Sequence, residues 1–193
     1  MNFRLLKSKN PVNEEYKVNF FIKAIGSGLF SGYIPFASGT FGSIVAVLIY
    51  LIPGFAQIHT LIIAVILSFV VGIIVSNIMR KRYGEDPPEV VIDEIAGQWF
   101  TYLVGYLVFA VFITFKTYDP TNDFPKKLIY AITGFIIFRI FDIIKFQPAK
   151  YLDKKDSGWG IMLDDIVSGL YAGVLSAVLT HFLWYRYFIH IFI

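Results

Sequence analysis

The sequence predicts an all-α integral membrane protein, a polytopic helical bundle with about five spans in a single domain over residues 1–193. Hydrophobic residues make up 56% of the chain and charged residues only 16%, and the mean hydropathy is +0.65. Soluble domains usually have about a quarter of their residues charged. Because a span needs about 20 apolar residues, a chain of this length has room for about five.

Five apolar stretches are the predicted spans. They cover residues 41–52, 58–79, 95–115, 128–144 and 166–184. Pro53 and Gly54 end the first span, and a basic run at residues 80–82 follows the second. The segment before the first span, residues 18–36, is aromatic and glycine-rich but contains Lys23. We therefore expect an interfacial or re-entrant segment there.

The distribution of lysine and arginine predicts the orientation of the bundle. One side would hold Arg4, Lys7, Lys9, Lys17, Lys23, Arg80, Lys81, Arg82, Lys145, Lys150, Lys154 and Lys155. The other side would hold only Lys116, Lys126, Lys127 and Arg186. Because loops rich in basic residues stay in the cytoplasm, the N-terminus is predicted inside and the C-terminus outside.

Four clusters of charged or small polar residues stand where spans begin or end. They are Ala-Ser-Gly-Thr-Phe-Gly-Ser at 37–43, Ile-Asp-Glu-Ile-Ala-Gly at 92–97, Arg-Ile-Phe-Asp-Ile-Ile-Lys at 139–145 and Leu-Asp-Asp-Ile-Val-Ser-Gly at 163–169. The predicted topology places all four on the cytoplasmic side. Ionisable groups at a bilayer boundary are costly and usually mark a site. Their convergence therefore predicts an enzyme site there.

Two acidic pairs open the third and fifth predicted spans. Asp93 heads a helical series of small residues, as does Asp165, and such series occur where membrane helices approach closely. These two carboxylates are therefore predicted to point between helices. Glu94 and Asp164 are turned by about 100° and would reach the same site from its rim. The alternative is that these acids only complement helix dipoles, worth about 0.3–1 kcal/mol.

Arg139, Asp142 and Lys145 are three residues apart and would share one helix face. They could form an ion pair that merely neutralises itself. However, two cations beside one acid leave a spare positive charge, which a phosphate group would match. The glycine-rich loop of residues 38–43 could offer backbone N–H groups to the same anion, although serine and glycine are also ordinary cap and turn residues.

Other classes of site are less well supported by the residues. The chain has no cysteine, which excludes thiolate chemistry. His59, His181 and His190 fall at the outer ends of spans or in the outer tail, so a covalent histidine mechanism is disfavoured. The net charge of +3 is too small to indicate nucleic acid. A small transporter remains the alternative, although it should show polar residues through the bilayer depth or inverted repeats.

The four clusters, in this order, resemble the phosphatidylglycerophosphatase A family over about residues 25–177. The resemblance implies a Mg²⁺-dependent lipid phosphatase of the bacterial inner membrane. Its reaction would convert phosphatidylglycerophosphate and water to phosphatidylglycerol and phosphate. The expected partners are this phospholipid and the bilayer, with no obligate protein partner. A CDP-alcohol phosphotransferase would instead need an Asp-Gly-x-x-Ala-Arg motif, which the sequence lacks.

The residue types then suggest roles in such a site. Carboxylate oxygens suit Mg²⁺, and the predicted metal ligands are Asp93, Glu94, Asp142, Asp164 and Asp165. The predicted substrate-binding residues are Ser38, Gly39, Thr40, Ser43, Arg139 and Lys145. The catalytic residues would be Asp93, Glu94, Asp142, Asp165 and Thr40. Either water or the Thr40 hydroxyl would be the nucleophile.

Overall fold

The computed structural model describes residues 13–112, 123–155, 157–183 and 186, and within these ranges the chain forms helices without strands. A single 3₁₀ turn covers Ser31–Tyr33. The helices are α1 (Phe20–Gly26), α2 (Ser38–Leu51), α3 (Ile58–Tyr83), α4 (Ile92–Phe112), α5 (Phe124–Ile144), α6 (Ala149–Leu152) and α7 (Gly158–Leu183). The all-α prediction is confirmed for these ranges. The predicted ends of the third and fifth spans, at residues 115 and 184, and His190 lie outside them.

Three of the described helices, α3, α4 and α7, are long and apolar enough to cross a membrane. The α2 helix has 14 residues, which is shorter than a usual span. The α5 helix has 21 residues, but charged residues interrupt it near both ends. Five spans therefore stay a prediction, with three supported by length and composition.

Several helices begin earlier than the sequence predicts. The α7 helix starts at Gly158 because the side chain of Asn77, on α3, accepts a hydrogen bond of 2.9 Å from the Gly158 N–H. Asp164 and Asp165 are consequently the seventh and eighth residues of α7, and a role as acids at a helix N-terminus does not apply to them. Asp93 and Glu94 do lie in the first turn of α4.

The α4 and α7 helices approach each other closely along their small residues. A Cβ added to Gly97 would lie 2.7 Å from the main-chain oxygen of Asp165, and one added to Gly169 would lie 2.6 Å from that of Gly97. No larger side chain fits between the two backbones at these points. The predicted close contact is confirmed, and it places Asp93 and Asp165 between the helices.

A layer of aromatic side chains packs α2, α4 and α5 together beyond the acidic clusters. Tyr50 stacks on Tyr102 with ring centroids 4.0 Å apart, and Tyr130 and Phe109 pack edge-to-face beside them. All four side chains are buried. The hydroxyls of Tyr102 and Tyr130 donate to main-chain oxygens, that of Tyr102 to Ala131 and that of Tyr130 to Thr101. Their polar ends are thus satisfied within the layer.

The N-terminal segment packs α1 against α3 and the start of α4. The N–H of Val91 donates to the main-chain oxygen of Gly26 at 2.9 Å. On the outer side Phe20, Phe21, Leu29 and Phe36 are exposed. A short helix with exposed aromatic residues suits a membrane interface, and the interfacial placement of this segment remains a prediction.

Candidate active site

The structure brings the five predicted acids into one buried cluster. Asp93 and Glu94 come from α4, Asp142 from α5, and Asp164 and Asp165 from α7. None is more than 3% exposed. Ligand oxygens of Asp93, Glu94 and Asp165 all lie within 4.8 Å of one another. Residues separated by more than 70 positions thus meet because α4 and α7 cross closely at Gly97.

Glu94 and Asp164 are buried as deeply as their neighbours, and not at the rim as the sequence suggests. Glu94 faces the start of α2, because its carboxylate occupies the space that a Cβ on Gly39 would need. Asp164 is covered by Lys145, whose Nζ bonds Asp164 Oδ2. Both acids therefore belong to the interior of the cluster.

Arg139 links α5 to α2 at the edge of the acids. Its Nη1 lies 2.8 Å from Asp142 Oδ2 and donates to Ser43 Oγ at 3.3 Å. The same nitrogen would lie 3.2 Å from a Cβ on Gly39. Arg139 is thus fixed where α2 begins, with its side chain 13% exposed.

Lys145 differs from the sequence-based interpretation. The α5 helix ends at Ile144, and Lys145 has a left-handed backbone with φ of 48°, so it leaves the helix face of Arg139. Its ammonium pairs with Asp164 and, at 2.8 Å, with Asp153. No spare positive charge results, because the five acids outnumber the two cations by three when all are ionised. The cluster therefore carries an excess of negative charge, which a cation would balance.

Residues 38–43 form the first turns of α2 and not a loop. Ala37 precedes them with φ of 51°, and no described side chain caps the helix. Gly39 is buried against Glu94 and Arg139, whereas Ser38 and Thr40 are half-buried beside it. The uncapped N–H groups of a helix N-terminus can bind an anion, so the anion-binding expectation now applies to the helix start.

The donor set fits a divalent cation. Oδ1 of Asp93 and both carboxylate oxygens of Asp165 are buried and have no hydrogen-bond partner among the described residues. Buried charges without partners are strongly destabilising. Grouped carboxylate oxygens are the ligands that Mg²⁺ prefers, and a small cation among them would satisfy these atoms.

Two residues of the site were missed by the sequence analysis. Gln98 is buried one turn after Glu94, and its side-chain amide lies beside the Tyr102 hydroxyl. Its spacing of four from Glu94 was the available signal. Asp153, which pairs with Lys145, follows the short α6 helix, and nothing in its local sequence indicates this contact.

The two described histidines lie far from the acids. His181 is in the last turn of α7, and 16 residues of helix separate it from Asp165, or about 24 Å along the axis. His59 is at the start of α3, at the end opposite to Asn77. Neither can take part in chemistry at the cluster.

An all-α bundle of apolar helices here buries five acids beside an arginine and a helix N-terminus, an arrangement that suits a membrane enzyme acting on phosphate compounds. The matched family agrees with this class. A family model described as phosphatidylglycerophosphatase A matches residues 24–180. The chain belongs to the phosphatidylglycerophosphatase A family.

Relatives cover nearly the whole chain. A Bacteroides thetaiotaomicron protein with the provisional name phosphatidylinositol-3-phosphatase is 36% identical over 80% of this chain and 90% of its own length. Phosphatidylglycerophosphatase A of Escherichia coli is 30% identical over 94% and 88%. That of Haemophilus influenzae is 26% identical over 92% and 99%. No solved structure matches the chain.

Proposed function

We propose that the chain hydrolyses phosphatidylglycerophosphate to phosphatidylglycerol and phosphate at the cytoplasmic face of a bacterial inner membrane. The observation that carries this proposal is the meeting of Arg139, Gly39 and Glu94 at the start of α2. There an anion-binding cation and a helix N-terminus touch a cluster of metal-ligating acids. The family match and the two relatives named phosphatidylglycerophosphatase A support the choice of lipid.

The residues of the chain position the phosphate. Arg139 is held by Asp142 and Ser43, so its guanidinium fork is oriented before substrate arrives, which suits binding of two phosphate oxygens. Because Gly39 has no side chain, the start of α2 approaches Glu94 and Arg139 closely, and its N–H groups can face the same phosphate. Either water or the Thr40 hydroxyl, in the first turn of α2, serves as nucleophile.

Mg²⁺ would be held by Asp93, Glu94 and Asp165, with Asp142 and Asp164 beside them. When bound, the ion supplies positive charge that stabilises the transferring phosphoryl group. Lys145 covers the cluster through Asp164 and is joined to the α6 segment through Asp153. Its ammonium would bind a remaining phosphate oxygen.

We expect purified protein to release phosphate from phosphatidylglycerophosphate at least about tenfold more efficiently, in kcat/KM, than from phosphatidic acid, a difference of about 1.4 kcal/mol. Activity should disappear with a chelator and return with Mg²⁺. Phosphatidylinositol-3-phosphate should be included in the same assay, because the name of the Bacteroides relative makes it a second candidate substrate. A higher kcat/KM with that lipid would replace the proposed substrate, and full activity after exhaustive chelation would contradict the metal role.

The cytoplasmic orientation can be tested in this cysteine-free chain. Glu85→Cys, in the exposed segment after α3, should react with a membrane-impermeant maleimide only from the cytoplasmic side. Gln57→Cys, exposed at the other end of α3, is the matched control and should react only from outside. Labelling in right-side-out and inverted vesicles measures both. The reverse pattern would place the acidic cluster on the outer face.

A further inference from the structure

Partly exposed residues lie beside the acidic cluster at the start of α2 and near the end of α5. The five acids are buried, whereas Thr40 on α2 is partly exposed and the Arg139 side chain on α5 is 13% exposed. Two of the acids, Asp164 and Asp165, are on α7 itself, and Lys145 joins Asp164 to Asp153. The hydroxyl of Tyr171 also donates to the main-chain oxygen of Gln147 at 2.9 Å. Thr40 and Arg139 therefore mark an approach for a phosphate between α2 and α5.

Two rows of aliphatic side chains descend from Thr40 and Arg139. On α2, Thr40 is followed by Ile44 and Leu48, four residues apart. On α5 the matching row is Ile140, Ile136 and Ile132. All five aliphatic side chains are exposed. Each row spans eight residues, or about 12 Å along its helix.

The two rows run side by side because α2 and α5 are joined at both ends. Near the acids, Arg139 donates to Ser43 at 3.3 Å. At the far end the buried Lys127 ammonium donates to the main-chain oxygen of Leu51 at 3.1 Å. We define the α2–α5 face as these rows, Thr40, Ile44, Leu48, Ile132, Ile136 and Ile140.

We propose that the lipid substrate docks laterally on the α2–α5 face, with its phosphate at Arg139 and an acyl chain along the two aliphatic rows. This inference rests on the proposed function. Exposed aliphatic residues alone would not identify a docking face, since every membrane helix presents them to lipid. The α2–α5 face differs because a cation and a helix N-terminus stand at its head.

A second apolar surface is separated from the acids. A cavity of 330 Å³ between α1, α2, α3 and α4 is lined by Ile25, Ile92, Ile95 and Trp99, among others. With 3.6 residues per turn, Ile92, Ile95 and Trp99 lie on the side of α4 turned away from Asp93 and Glu94. A chain in this cavity would have to cross α4 to keep its phosphate at Arg139.

The test compares two versions of phosphatidylglycerophosphate, one with long acyl chains and one with short, water-soluble chains. Ile44→Trp and Ile136→Trp add bulk to the α2–α5 face. We expect each to lower kcat/KM for the long-chain lipid by about tenfold or more, and to leave the short-chain value within about twofold. Leu170→Trp and Val174→Trp, on the exposed face of α7, are matched controls and should change neither value.

Unchanged long-chain activity in both variants would overturn the inference, as would equal losses with both substrates. Ile25→Trp fills the cavity near α1, and a selective long-chain loss in that variant alone would place the acyl chain there instead. Hydrolysis of the short-chain compound by the unmodified protein tests the proposed function separately. If it hydrolyses neither compound, the proposed function fails and this inference fails with it.

Discussion

Asp165→Asn is expected to lower kcat for phosphate release by at least about a hundredfold, the usual effect of removing one charge-stabilising group from an active site. The same change should not unfold the bundle. Both carboxylate oxygens of Asp165 are buried without a hydrogen-bond partner among the described residues, so the amide breaks no internal bond. It also removes one negative charge from the cluster of five acids, whose negative charges repel one another.

The effect of Mg²⁺ on thermal unfolding distinguishes a role of Asp165 in metal binding from a merely structural role. In the unmodified protein Mg²⁺ should raise the Tm, because a ligand that binds only the folded state stabilises it. In Asp165→Asn this rise should be lost or much reduced. Asp123→Asn is the control: Asp123 caps the opposite end of α5, its Oδ1 accepting from the Lys126 N–H. Normal turnover and a normal Mg²⁺ effect in Asp165→Asn would reject the metal assignment.

Arg139→Lys is expected to lower kcat/KM by about ten- to a hundredfold, which corresponds to about 1.4–2.7 kcal/mol. One guanidinium nitrogen contacts both Asp142 and Ser43, and a lysine ammonium lacks the planar fork that also binds two phosphate oxygens. Kinetics with phosphatidylglycerophosphate measure the effect.

Two further variants test whether the loss in Arg139→Lys comes from the guanidinium of Arg139. Ser43→Ala removes the longer contact of Arg139 and the hydrogen bond from the Ser43 hydroxyl to the Gly39 main-chain oxygen, and it should have a smaller effect than Arg139→Lys. Lys150→Arg alters an exposed cation of α6 and should leave kcat/KM unchanged. Wild-type kinetics in Arg139→Lys would show that the guanidinium does not bind the phosphate.

Helical periodicity made the acidic interface predictable. Asp93 and Gly97, like Asp165 and Gly169, are four residues apart, so each acid had to share a face with a small residue that admits a neighbouring helix. This pattern alone does not show which helix packs against which. The four sequence clusters indicate that pairing, because they suggest one common site.

The features that the sequence did not predict depend on long-range contacts. The sequence predicts the fifth span only from residue 166, yet helix α7 begins at Gly158 because Asn77, 81 positions earlier, caps it. Lys145 was expected on the face of Arg139, but α5 ends one residue before it and the side chain turns to Asp153 and Asp164. Local pattern does not determine where a helix ends when a distant side chain satisfies its terminus.

The aromatic layer beyond the site has a consequence for the membrane itself. A cluster of acids open to one side of a bilayer could become a leak for protons or metal ions if water continued past it. Tyr50, Tyr102, Tyr130 and Phe109 fill the space between α2, α4 and α5, and the hydroxyls of Tyr102 and Tyr130 are committed to main-chain oxygens. Packing of this kind disfavours a continuous chain of water molecules between these three helices. A strongly charged pocket on one side of this layer would therefore not by itself open a path for ions between α2, α4 and α5.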